Sequence, residues 1–153
     1  QLNCFQNQIL IAKELDLPII VHDRQSKGDT LKVLKDMNVT KGVIHCFSGS
    51  AETAKILINM GFMISFTGVI TFKNAKRAIE ALKVIPIERL MIETDSPYMA
   101  PEPFRGRRND SRYVKYVAEK MAEVKGIELE QLCEITYQNG LKFFNITKEE
   151  NIQ

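Results

Sequence analysis

The sequence predicts an α/β fold in which parallel strands alternate with crossover helices. Short, wholly apolar runs recur along the chain, amphipathic stretches at helical period lie between them, and no linker or low-complexity tract divides the series. The 153 residues, 44% of them apolar, are therefore read as one domain over 1–153. A domain of that length buries roughly 70% of the surface its unfolded chain would expose.

In chain order, the first element is an amphipathic helix already under way at Gln1, with Leu2, Phe5, Ile9 and Ala12 on one stripe. Leu17 to Val21, Gly42 to Phe47, Gly61 to Phe66 and Arg89 to Ile92 follow as strands, each too apolar throughout to be half exposed, as buried parallel strands are. A helix is expected from about Ala51. Another is marked by Ala75, Ala78, Ile79 and Leu82, and a third by Tyr113, Val117, Met121 and Val124, close to the i, i+3, i+4, i+7 pattern of a face packed on a sheet. Four strand-helix units are half of what a (β/α)₈ barrel needs, a fold of typically about 250 residues. Two architectures are thus open: the C-terminal half of a (β/α)₈ barrel with its N-terminal strands missing, or a small doubly wound sheet. The opening on a helix without a preceding strand or an initiator Met leads us to expect a truncated front.

Composition narrows the function classes. With 21 Lys+Arg against 19 Asp+Glu the net charge is +2, so a nucleic-acid partner would have to be gripped locally rather than by a strongly basic surface. No run approaches the roughly 18 apolar residues that cross a bilayer, and Gln1 to Gln8 lack a secretory pattern, so no membrane partner is expected. Cys4, Cys46 and Cys133 form no CxxC pair, as expected of thiols in a reducing, cytoplasmic setting.

The two histidines of the chain, His22 and His45, each close an apolar run, and a third run ends in Glu93-Thr94-Asp95-Ser96-Pro97. In a parallel sheet the carboxyl ends of the strands form the functional face. Two imidazoles and one or two carboxylates are expected to converge there, a donor set suited to Zn²⁺, Mn²⁺, Fe²⁺ or Mg²⁺. The competing reading is polar side chains satisfied locally at strand ends. Cys46 would point away from His45 on the opposite strand face and pack as a small apolar residue. Ser48-Gly49-Ser50 precedes a helix, so its amides would hold a phosphate or Ser50 would simply cap the helix. Between Ser96 and Asn109, Pro97, Pro101 and Pro103 impose a loop carrying Tyr98, Phe104, Arg105, Arg107 and Arg108. Rings beside guanidinium forks suit a phosphodiester backbone with unstacked bases, and a solvated charge cluster is the alternative. Arg24, two residues past His22, has the same two readings.

Taken together, these motifs resemble the TatD family of metal-dependent deoxyribonucleases within the amidohydrolase-like TIM barrels. The resemblance rests on Leu17-Pro18-Ile19-Ile20-Val21-His22-Asp23-Arg24, His45-Cys46-Phe47-Ser48-Gly49-Ser50, Gly61-Phe62-Met63-Ile64-Ser65 with Gly68, and Glu93-Thr94-Asp95-Ser96-Pro97-Tyr98 followed by Ala100-Pro101 and Arg105-Gly106. Asn109, Tyr113-Val114, Thr136 and Asn139 continue it. One departure is Ser111, where the family usually has proline at what looks like a helix start.

The resemblance implies the last four strands of the barrel and a site of two divalent ions (Mg²⁺, Mn²⁺ or Zn²⁺), with His22 and His45 on one ion and Asp95 on the other. It also implies a His-x-His and a bridging Glu that have no counterpart in these residues. The implied reaction is phosphodiester hydrolysis at a DNA 3′ end, with RNA as an alternative substrate. Asp95 would act on the attacking water, Arg24 and the loop arginine Arg105 would neutralise phosphate, Ser48 would line the substrate, and Tyr98 or Phe104 would stack on a base. A hydrolase of cyclic amides or lactones, and a non-catalytic half-barrel, are the rival expectations. A chain lacking half the donors is expected to be weakly active or inactive alone, and to self-associate or pair with the missing N-terminal half.

Overall fold

The computed structural model describes residues 1–23, 26 and 28–147. Six α-helices and four strands alternate among them: α1 (Leu2–Glu14), β1 (Ile19–His22), α2 (Asp29–Asp36), β2 (Gly42–His45), α3 (Ala51–Asn59), β3 (Met63–Phe66), α4 (Lys76–Val84), β4 (Leu90–Ile92), α5 (Val114–Lys125) and α6 (Leu129–Phe144). All strands are parallel and their order in the sheet is their order in the chain, β1-β2-β3-β4. A doubly wound sheet reverses direction at a switch point. This one does not, so among the described residues the strands step in one direction, as they do round a barrel.

The helices follow the same succession, α3 packing on α4, α4 on α5 and α5 on α6. Ile9, Leu34, Leu57, Phe62, Ile64, Phe66, Leu82, Leu90, Met121 and Leu132 are buried in one continuous core. Local chemistry sets the helix ends. The Ser50 hydroxyl accepts from the Thr53 amide at 3.2 Å and caps α3. Gly126, at φ 66°, ends α5 in the left-handed conformation that a residue without Cβ adopts without strain. Asp110 caps a 3₁₀ turn, Ser111–Tyr113, that leads into α5, so the position of Ser111 is a helix start.

One expectation about the strands needs correcting. β1 is half exposed, with Ile20 62% exposed beside a buried Val21, because β1 is an edge of the sheet and its outer side has no partner among the described residues. The apolar stripe of α1 is likewise thinly covered: Ile9 is fully buried, whereas Leu2 is 54% exposed.

The segment from Ser96 to Asn109 is irregular, as its prolines require. It is nonetheless pinned. The Asn109 side chain is buried and donates to the carbonyls of Thr94 (2.7 Å) and Tyr98 (2.6 Å), while the Glu102 amide donates to Thr71 Oγ1 at 2.8 Å. Gly68 lets the loop lie against the 3₁₀ turn Gly68–Thr71: a Cβ there would collide with the Met99 carbonyl and come within 2.8 Å of the Pro101 nitrogen.

Candidate metal and substrate site

The β1–β2 ladder places Val21 opposite Ile44 and His22 opposite His45. Both imidazoles therefore leave the sheet at its carboxyl edge, with ring centroids 5.3 Å apart. β4 ends at Ile92, before the two carboxylates. Residues two apart would share a face if the strand ran on; instead the backbone turns after Glu93, with Asp95 at φ 54°. The turn aims them at opposite sides of one ring. Glu93 Oε2 lies 2.5 Å from His45 Nδ1, and Asp95 Oδ1 lies 3.2 Å from His45 Nε2.

Glu93 is the residue that sequence reasoning left unassigned. Its Oε1 also accepts from the Cys46 amide at 2.8 Å and from the Ser65 hydroxyl, so one carboxylate joins the ends of β2 and β4 to β3. The signal available in the sequence was the pairing of Glu93 with Asp95 after an apolar run. What the sequence could not show is which of the two faces the ring from behind.

Cys46 also departs from expectation. β2 stops at His45, and Cys46 takes a left-handed conformation at φ 50°, so strand alternation no longer governs its side chain. Its sulfur lies 3.4 Å from Thr67 Oγ1, and the residue lines the cleft rather than packing beneath a helix.

That cleft, about 480 Å³, is lined by His22, Asp23, Cys46, Phe47, Ser48, Val69, Asp95, Tyr98 and Met99. Ser48 and Tyr98 are among these lining residues, and Tyr98 is 70% exposed. Asp23, which accepts from the Thr30 hydroxyl at 3.3 Å, joins them unpredicted. Ser50 is a helix cap, as one of the two readings of its turn had it. Two other side chains are engaged elsewhere among the described residues. Arg105 is not part of the cleft lining; its guanidinium sits over the Phe72 ring at 4.4 Å. Phe104 is not presented to a base, because it stacks on Tyr113 at 4.3 Å with rings 3° from parallel, and meets Tyr116 edge-on. Arg24 lies outside the described residues.

The donors fit a divalent ion in kind: imidazole nitrogen and carboxylate oxygen on a concave, partly buried surface. They fit in spacing at one point. The 3.2 Å between His45 Nε2 and Asp95 Oδ1 matches two ligands on one ion with bonds of about 2.1 Å. Among the described residues no three His, Cys, Asp or Glu side chains close around a single point.

The family of TatD related DNases matches residues 1–145. The chain is 48% identical over 148 residues to YabD of Bacillus subtilis and 45% identical over 148 residues to YcfH of Escherichia coli, both known as uncharacterized metal-dependent hydrolases. Each alignment takes in 95% of this chain but 58% and 56% of the relative, so the chain spans a little over half the length of these proteins. Among solved structures, the TatD homolog YJJV of E. coli superposes with a TM-score of 0.85 at 28% identity, covering 92% of this chain and 54% of that one. A TatD family hydrolase of Entamoeba histolytica gives 0.82 at 26%, covering 94% and 56%. With strands in barrel succession, two imidazoles and a carboxylate gathered at their carboxyl ends, and a family match over almost its whole length, the chain belongs to the TatD family.

Proposed function

We propose that these residues form one wall of a divalent-metal-dependent phosphodiesterase site that removes nucleotides from the 3′ end of single-stranded DNA. The observation that carries this reading is the His45–Asp95 pair, 3.2 Å apart, whose Asp95 lines a 480 Å³ cleft together with His22. The metal-dependent hydrolase names of the relatives support the metal, and the family's description as DNases supports the substrate.

A divalent ion, when bound, supplies Lewis acidity that makes water a nucleophile at neutral pH and stabilises charge on phosphate oxygens. His45 and Asp95 would supply two donors to it, and His22, its ring 5.3 Å from that of His45, stands beside them as a third side chain of the site. The Asp95 carboxylate, with one oxygen toward His45, has a second with which to orient the attacking water. Ser48 Oγ at the rim can donate to a phosphate oxygen, and the exposed Tyr98 ring offers a face for a terminal base. Fewer than three donors close on one point among the described residues, so the full donor set is proposed to draw on further residues, from another segment or another chain.

The test is digestion of 5′- and 3′-end-labelled single-stranded oligonucleotides by the intact protein carrying these residues, with Mg²⁺, Mn²⁺ or Zn²⁺ supplied. Stepwise loss from the 3′ end is expected, abolished by chelation. Hydrolysis of a dihydropyrimidine or lactone with DNA left whole would establish the amidohydrolase alternative instead.

A further inference from the structure

We infer that Glu93 is the positioning residue that makes His45 a metal donor: its carboxylate accepts a hydrogen bond from Nδ1–H, which keeps the ring proton on that nitrogen and leaves the Nε2 lone pair facing Asp95. The inference deepens the metal reading above and rests on it. A neutral imidazole carries one proton, and the nitrogen that keeps it is set by the stronger acceptor. Both nitrogens of His45 meet a carboxylate, but unequally. Glu93 Oε2 is at 2.5 Å and Asp95 Oδ1 at 3.2 Å. Glu93 is also the better-anchored of the two, because its other oxygen accepts from the Cys46 amide and the Ser65 hydroxyl. Ser65 is buried, and its strand β3 is covered on both faces.

The local backbone is built for this contact. The left-handed turn at Cys46 ends β2 immediately after His45, and the Cys46 amide points at the carboxylate that holds the ring. Asp95 comes from a second left-handed turn and borders the open cleft. One carboxylate therefore stands behind the imidazole, tied to three strand ends, and the other stands at its open side. In metal sites generally, a carboxylate on the second nitrogen of a ligating histidine fixes the tautomer, and its loss lowers metal affinity about 10–100-fold.

The neutral isostere Glu93→Gln makes a sharp test. Two donors, the Cys46 amide and the Ser65 hydroxyl, hold the amide oxygen, which leaves the NH₂ group facing Nδ1. That nitrogen must then accept, and the ring proton moves to Nε2, toward the cleft. The measurement is the long-range ¹H–¹⁵N spectrum of histidine-labelled, metal-free chain at about pH 9, above the ordinary imidazole range, followed by Mn²⁺ titration read as paramagnetic broadening of the histidine signals. The chain has two histidines, so assignment needs only a His22→Gln variant.

The unaltered chain is expected to show His45 as the Nδ1–H tautomer. Glu93→Gln is expected to show Nε2–H at His45, and to need about 10–100-fold more Mn²⁺ for the same broadening. Ser65→Ala, which removes a donor to Glu93 but leaves the contact with the ring, is expected to keep the original tautomer and Mn²⁺ response. Nε2–H at His45 in the unaltered chain overturns the inference without any variant, as does a Glu93→Gln chain that matches the unaltered one, or a Ser65→Ala chain shifted as far as Glu93→Gln. Absence of Mn²⁺ broadening up to millimolar ion, both in the unaltered chain and in the intact protein carrying these residues, overturns the metal reading itself and is distinguishable from all of these.

Discussion

His22 and His45 are register partners on the last rung of the β1–β2 ladder, their rings 5.3 Å apart and tilted by 45°. The backbone positions of the pair are set by the ladder rather than by a loop. Two imidazoles and one outward carboxylate make a partial donor set. The 153-residue chain alone is therefore expected to be poorly occupied after dialysis against micromolar Zn²⁺, and to show little nuclease activity. Metal analysis with a DNA digestion assay checks this. Two stoichiometric ions on an active monomer would show that these residues suffice.

In the intact protein, Asp95→Ala is expected to lower kcat/KM by more than about 100-fold, because a donor at the reacting centre is lost. Tyr98→Phe is expected to change it little. Tyr98 is 70% exposed and lines the cleft, and a stacking face does not depend on the hydroxyl. Steady-state kinetics on a labelled oligonucleotide separate the two, and comparable turnover for Asp95→Ala and the unaltered protein would remove Asp95 from the site.

Gly68→Ala should act at a distance. The added methyl would meet the Met99 carbonyl and the Pro101 nitrogen, both backbone, so the loop carrying Tyr98 must lift. A stability loss of about 1–3 kcal/mol is expected from overpacking of this kind, with weakened oligonucleotide binding. Thermal melting and a binding titration read both effects. An unchanged melting temperature would mean that the loop shifts freely.

Arg105→Ala distinguishes two roles of one side chain. Its contact with the Phe72 ring at 4.4 Å predicts a stability loss of about 0.5–1 kcal/mol. If it also meets a phosphate when DNA is bound, the slope of log K against log salt should fall by about one. A lost slope with no lost stability would mean that the ring contact carries no energy.

Acid sensitivity follows from Asp110. Hydrogen bonds from the Arg112 side chain and then its backbone amide hold this carboxyl below the ordinary carboxylate range. A carboxyl depressed in the folded state stabilises at pH values above its unfolded pKa, and that contribution is lost as pH falls through the folded value. Melting temperature should therefore decline below about pH 4, and Asp110→Asn, which still caps the turn, should flatten that decline. An identical acid limb in the variant would assign the sensitivity elsewhere, with Glu52, also held low by the hydrogen bonds of its helix start, as the next group to replace.

The open edge of β1 should make the chain associate. Ile20 and Leu17 are 62% and 54% exposed beside it, and unpaired strand edges next to apolar side chains invite pairing. Light scattering is expected to show self-association that Ile20→Lys reduces. A monomer at all concentrations would contradict it.

Much of the site was legible along the chain because its signals are local. An apolar run that ends in His is a strand that ends in His, whatever lies beside it, so His22 and His45 could be put at the carboxyl edge before any fold was known. Ser50 as a cap, Asp110 before a helix start, and the loop imposed by Pro97, Pro101 and Pro103 are local in the same way, set by hydrogen bonds or ring geometry within a few residues. Strand order was not legible. Periodicity is the same for a barrel segment and a doubly wound sheet, and only the pairing of β1 with β2, β2 with β3 and β3 with β4 separates them.

What the sequence by itself determined, then, is which residues end the strands and which segments are helix or loop. Tertiary structure alone decided how those ends meet. Glu93 reaches His45 across 48 positions, Asp95 reaches it across 50, and Arg105 finds Phe72 across 33. Phe104 is taken by Tyr113 rather than left for a base. Two left-handed residues, Cys46 and Asp95, turn the backbone where strand alternation would have carried it straight on. Such contacts are decided by packing between elements distant in the chain, where the same side chain can serve as ligand, prop or filler, and nothing in its immediate neighbours distinguishes the three.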